Sequence, residues 1–90
     1  VNKTKRQWRI AIALHTIEDA YGAGNFDDAG DALLTALNGL SDYPGQYPCR
    51  IEMETRHPNP YYHHMLFIVD DLAEQTSIRL MDRVRNLGLA

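Results

Sequence analysis

Ninety residues with 44% apolar and 23% charged side chains describe a single folded domain over residues 1–90, too rich in aliphatic and aromatic groups for a disordered chain. At this length the fraction of surface hidden on folding is modest, so assembly with a partner is a natural source of extra stability. A net charge of −3 gives no overall basic surplus, but the charge is unevenly distributed: residues 1–9 hold Lys3, Lys5, Arg6 and Arg9 and no acid, whereas residues 10–42 hold Glu18, Asp19, Asp27, Asp28, Asp31 and Asp42 and no Lys or Arg.

The lone Cys49 has no partner for an internal disulfide, no stretch has the charged, apolar and small-residue order of a signal peptide, and no apolar run approaches the ~20 residues that cross a bilayer. These features lead to the expectation of a cytoplasmic protein. The chain opens on Val1, which fits a processed product or a fragment of something longer.

From about residue 5 to residue 22, Ile10, Ala13, Leu14, Ile17, Ala20 and Tyr21 recur at spacings of three and four, the period of one helix face, and Gly22 and Gly24 supply a stop. Asn25 then suits an N-cap, with Asp27 and Asp28 in the first turn where the helix dipole favours anions. Phe26, Ala29, Leu33, Ala36, Leu37 and Leu40 continue on one face, which predicts a second helix over 26–40 folded back antiparallel on the first. The run Ala20-Tyr21-Gly22-Ala23-Gly24-Asn25-Phe26-Asp27-Asp28-Ala29, followed by Ala36-Leu37, resembles the turn and second helix of a tetratricopeptide repeat, so that Ala20–Leu40 is similar to one helical hairpin of that family. The resemblance implies close packing of two helices and, in the family's arrays, binding of peptides or partner proteins. It departs from the repeat pattern in lacking one residue between Tyr21 and Gly24, in placing Ile17-Glu18 where Leu-Gly is usual, and in having no second copy.

Pro44-Gly45 and Pro48 mark residues 41–48 as a loop. Beyond it two readings compete. In the first, Asn59 caps a long helix over 60–87 with Pro60 at its first position, and Tyr62, Met65, Val69, Leu72, Ala73, Thr76, Leu80, Val84 and Leu87 hold helical spacing along it. The fold is then mainly α: an antiparallel hairpin, 5–22 and 26–40, packed on a long C-terminal helix. In the second, the strict alternation of Cys49, Ile51, Met53 and Thr55 with charged neighbours makes a strand that pairs as a hairpin, 49–56 with 61–69, and the last helix starts near an Asp71 N-cap, giving an α+β order α-α-β-β-α. The first is preferred, because His57-Pro58-Asn59-Pro60 makes a poor tight turn: Pro60 lacks the N–H that would close it, and Asn59, preceding a proline, is pushed to extended angles.

Chemistry-bearing motifs are sparse. No Gly-rich phosphate loop, Gly-x-Ser-x-Gly elbow, Cys-x-x-Cys or His-Glu-x-x-His spacing is present, and Ser41 and Ser77 have no neighbouring base. His57, His63, His64 and Cys49 have metal-ligand identities, but adjacent histidines project in different directions, so His63 and His64 do not readily share an ion. The expectation is a non-enzymatic regulatory or adaptor-type protein without catalytic residues, metal or cofactor, acting through a protein partner or a second copy of itself. One candidate surface is the acidic face Glu18, Asp19, Asp27, Asp28 and Asp31, which favours a basic partner. The other is the apolar segment around Tyr61, Tyr62, Met65 and Phe67. The alternative function is nucleic-acid association through Lys3, Lys5, Arg6 and Arg9 with the late arginines Arg79, Arg83 and Arg85.

Overall fold

The structure is a computed structural model and describes residues 7–40 and 48–90. It is α+β rather than mainly α: three helices lie on one face of a three-stranded antiparallel sheet. The elements run β1 (Gln7–Ala13), α1 (Leu14–Tyr21), α2 (Phe26–Asn38), β2 (Cys49–Glu54), a single 3₁₀ turn (Pro60–Tyr62), β3 (His64–Asp70) and α3 (Glu74–Asn86). In the sheet the order is β1-β3-β2, so the last strand in sequence is the central one.

Two helical expectations are overturned, each for a physical reason. The segment expected as a first helix over 5–22 is a strand to Ala13 and a helix only from Leu14. Trp8, Ile10 and Ile12 alternate with Gln7, Arg9 and Ala11, a period of two that shares Ile10 with the helical period, and pairing with β3 selects the strand. The proposed helix over 60–87 is likewise broken into the 3₁₀ turn, β3 and α3. His64–Asp70 as a helix would be apolar on nearly every side. As the middle strand it is flanked on both edges, and its two faces need different cover. Met65, Phe67 and Val69 point into the core with Ile12, Ile17, Leu33, Leu37, Leu80 and Val84, while Leu66 and Ile68 lie on the other face. Ile68 is only 2% exposed there, with Arg9 and Arg50 directly beside it in the ladder.

The order α-α-β-β-α therefore holds after residue 13 but lacks β1, and the 49–56/61–69 hairpin is realised as Cys49–Glu54 against His64–Asp70. A nine-residue connection removes the objection raised by Pro60, since no tight four-residue turn is required. After β3 the chain turns through Asp71, a non-glycine residue in the left-handed region at φ 58°, a conformation that a short polar side chain tolerates. Ala73, not Asp71, occupies the N-cap of α3.

The helical hairpin survives in shortened form, as a lid on the sheet. Gly22 joins the helices at φ 97°, ψ 157°, a region essentially restricted to glycine, and its N–H bonds the Glu18 carbonyl. Asn25 sits at the N-cap of α2, yet its side-chain amide donates backwards to the Tyr21 carbonyl, closing α1 instead of opening α2. Gly30 lies where α2 crosses β2: an added Cβ would stand 3.3 Å from Ile51 Cδ1, so the missing side chain lets helix and strand approach.

Candidate functional site

The groups most distinctive on the described surface gather where β2 ends and β3 and α1 begin. β1 runs into α1 without a loop. Its ladder with β3 extends one bond beyond the strand, from the Leu14 N–H to the His63 carbonyl at 3.0 Å, so α1 leaves the sheet beside the 3₁₀ turn. That places His15 against Tyr61, the rings stacked at 5.0 Å and 13°. Tyr61 meets Tyr62 edge-on at 5.3 Å, and Tyr62 meets His57 at 4.6 Å. His63 and His64 follow directly, so all four histidines of the chain lie around these two tyrosines.

The connection that carries them is internally built. Asn59, held at φ −93°, ψ 115° before a proline, accepts the Tyr61 N–H on its side-chain oxygen at 3.0 Å, and Pro60 fixes the first position of the turn. The cap read from the sequence at Asn59-Pro60 is thus present, on a single turn instead of a long helix. The Asn59 N–H donates to His57 Nδ1 at 3.0 Å, His63 Nε2 donates to the His57 carbonyl at 2.6 Å, and His64 Nδ1 donates to the Tyr62 carbonyl at 3.1 Å. Two prolines and these bonds hold the rings in place while leaving Tyr61 64% and Tyr62 56% exposed.

At the edge of the site the Arg56 guanidinium grips Glu54 with bonds of 2.9 and 2.7 Å and the Arg56 backbone N–H adds another at 3.1 Å. These bonds, helped by the nearby positive charges of Arg56 and His64, hold the Glu54 carboxyl at about 2, below its ordinary 4.5. A carboxyl lowered on folding favours the folded state above the unfolded value and loses that contribution as pH falls from about 4.5 through about 2. In an Arg56→Ala variant the Glu54 carboxyl, followed by carbon NMR, is expected to titrate back towards the ordinary glutamate range. An unchanged midpoint would mean that Arg56 does not hold it.

Of the residues picked out from sequence, Tyr61 and Tyr62 belong to this surface, whereas Met65 and Phe67 are buried in the core and supply packing. Glu18 and Asp19 are exposed and stand three and four positions after His15 on α1, one helical turn from the Tyr61 stack. Asp27, Asp28 and Asp31 are exposed at the start of α2, beside the end of α1. None of these five enters a salt bridge among the described residues. The cations of the nucleic-acid reading that fall in the described residues are dispersed: Arg9 lies on the face of the sheet away from the helices, Arg79, Arg83 and Arg85 lie in the helix layer, and Arg85 is engaged by Asp82 at 3.0 Å. Lys3, Lys5 and Arg6 are outside the described residues, as is the loop through residue 47.

Sequence reading missed His15, which is 46 positions from Tyr61 and carries no local signal of its own. Among the described residues no group of three or more His, Cys, Asp or Glu is disposed to hold a metal ion. Cys49 pairs with Val69 while Glu54, next to the histidines, pairs with His64, so the thiol stands at the far end of β2; burial pushes its pKa up and disfavours the reactive thiolate. A groove of about 660 Å³ between α2 and α3 is lined by Ala32, Thr35, Ala36, Arg83, Asn86 and Leu87, with no acid, histidine or thiol among them. No helix of the described residues is long and apolar enough to cross a membrane. In comparisons with known proteins, the chain matches no family model, no curated protein and no solved structure.

Proposed function

We propose that this protein is a small non-enzymatic adaptor or regulatory module that binds a protein partner through the exposed pair Tyr61 and Tyr62, with His15, His57 and the acidic side chains Glu18 and Asp19 at the margin. The observation that carries this reading is the exposure of two large aromatic rings on a connection braced by its own hydrogen bonds and Pro60. Tyrosine offers a large amphipathic contact with few rotatable bonds, and binding loses less entropy when the bound geometry already exists. Tyrosine is also among the residues that most often dominate interface energies. The acidic residues one turn away along α1, and those at the start of α2, favour a partner with basic groups around an apolar or aromatic centre.

The test is photocrosslinking in the native host with a benzoylphenylalanine placed at position 61, at position 27 on the acidic face, or at Ile78, which is 60% exposed on α3 and serves as the control. A discrete adduct from position 61 that is weaker from 27 and absent from 78 is the expected result. Equal adducts from all three positions, or none from 61, would overturn the assignment of the surface.

A further inference from the structure

β2 is an edge strand, and its backbone hydrogen-bonding groups divide by parity. The Asp70 N–H bonds the Pro48 carbonyl at 2.9 Å, so in the unbroken register Pro48, Arg50, Glu52 and Glu54 turn their backbone groups towards β3. Cys49, Ile51 and Met53 turn theirs outward, where no backbone group of the described residues meets them. Their side chains lie on the helix side of the sheet, with Met53 45% exposed, while Arg50, Glu52 and Glu54 lie on the opposite side.

A second copy paired antiparallel along this edge meets a charge constraint. Centring the two-fold axis on Arg50 sets Arg50 against Arg50, and centring it on Glu52 sets Glu52 against Glu52. Centring it on Ile51 sets Arg50 of each copy against Glu52 of the other, Ile51 against Ile51, and Met53 against Cys49, with the outward N–H and C=O groups of 49, 51 and 53 facing one another. Within one chain Arg50 already bonds Glu52 at 3.0 Å, so the dimer would close a four-charge ring on the face away from the helices while covering Met53 on the other. The opposite edge offers no such pairing, since Arg9 is the one charged residue of β1.

From this geometry we infer that β2 is a self-association edge: two copies join antiparallel about Ile51 to make a continuous six-stranded sheet. The surface is separate from the Tyr61–Tyr62 site, and the inference does not depend on the function proposed for that site.

Sedimentation equilibrium from about 10 to 500 μM is paired with amide hydrogen exchange. Wild-type protein is expected to dimerise across this range, with the amides of Cys49, Ile51 and Met53 gaining protection as concentration rises. R50E and E52R are each expected to lose self-association by at least tenfold because like charges then face across the axis. Mixed in equal amounts they should re-form a dimer, since an all-acidic edge meets an all-basic one, and this arm distinguishes lost pairing from lost folding. Y61A/Y62A should dimerise as wild type does. A monomer at 500 μM, dimerisation undiminished in both charge variants, or a mixture that stays monomeric would each overturn the inference.

Discussion

Phe67→Ala is expected to cost about 3–5 kcal/mol, the range for removing a large aromatic side chain from a packed core. Phe67 is fully buried at the centre of the middle strand, between Ile10 of β1 and Ile51 of β2, and takes the Trp8 ring edge-on at 5.9 Å. The cavity would open where the three strands meet the helix layer, with little local freedom to collapse. Total stability for a small domain is about 5–15 kcal/mol, so about a fifth or more of it is at stake. Thermal melting is expected to fall by about 12–40 °C at about 4–8 °C per kcal/mol. Ile78→Ala, on the exposed face of α3, should stay within about 0.5 kcal/mol. A loss below 1 kcal/mol for Phe67→Ala would show that the middle strand does not organise the core.

The second large effect concerns binding and should leave the fold nearly untouched. Removing both rings in Tyr61→Ala/Tyr62→Ala takes away contact surface that projects into solvent, together with the stack on His15 and the contact with His57. Folding stability is expected to change by no more than about 1 kcal/mol, since exposed substitutions and surface ring contacts are each small. Affinity for the protein crosslinked from position 61, measured by calorimetry, is expected to fall by about 100-fold or more, given that interface hot spots are each worth about 2 kcal/mol or more and adjacent ones do not add simply. Unchanged affinity would remove these tyrosines from the interface. Replacing Met65 or Phe67 instead would weaken binding only by unfolding the protein, a difference that melting curves read directly.

Local chemistry is legible in the chain wherever it concerns neighbours in sequence. The second helix, the Gly22 stop, the Asn59-Pro60 cap and, as the second reading, the strand alternation of 49–56 follow from rotamer, dipole and backbone preferences acting over a few residues, and each has a counterpart in the structure. The errors arise where two periods fit the same letters. Residues 7–21 satisfy a helix face throughout, yet their first half alternates well enough to serve as a strand, and only β3 lying alongside it makes that choice favourable. Residues 61–69 look over-apolar for a small helical domain because a strand with neighbours on both edges must be apolar on one face and shielded on the other, a need that no window of the sequence expresses.

The candidate site divides in the same way. Tyr61, Tyr62 and their neighbouring histidines stand out from composition alone, but a helix would have scattered them around an axis, and the 3₁₀ turn leaves both tyrosines facing solvent. By itself the sequence determined the residue types, the Asn59-Pro60 cap signal beside the rings, the acidic hairpin and the absence of recognised catalytic spacings, because these depend on covalent identity and short-range preference. Only the tertiary structure decided that β3 is central, that His15 closes the aromatic cluster from 46 residues away, and which backbone groups of β2 face outward, because strand order and register are fixed by long-range burial and hydrogen bonding between segments far apart in the chain.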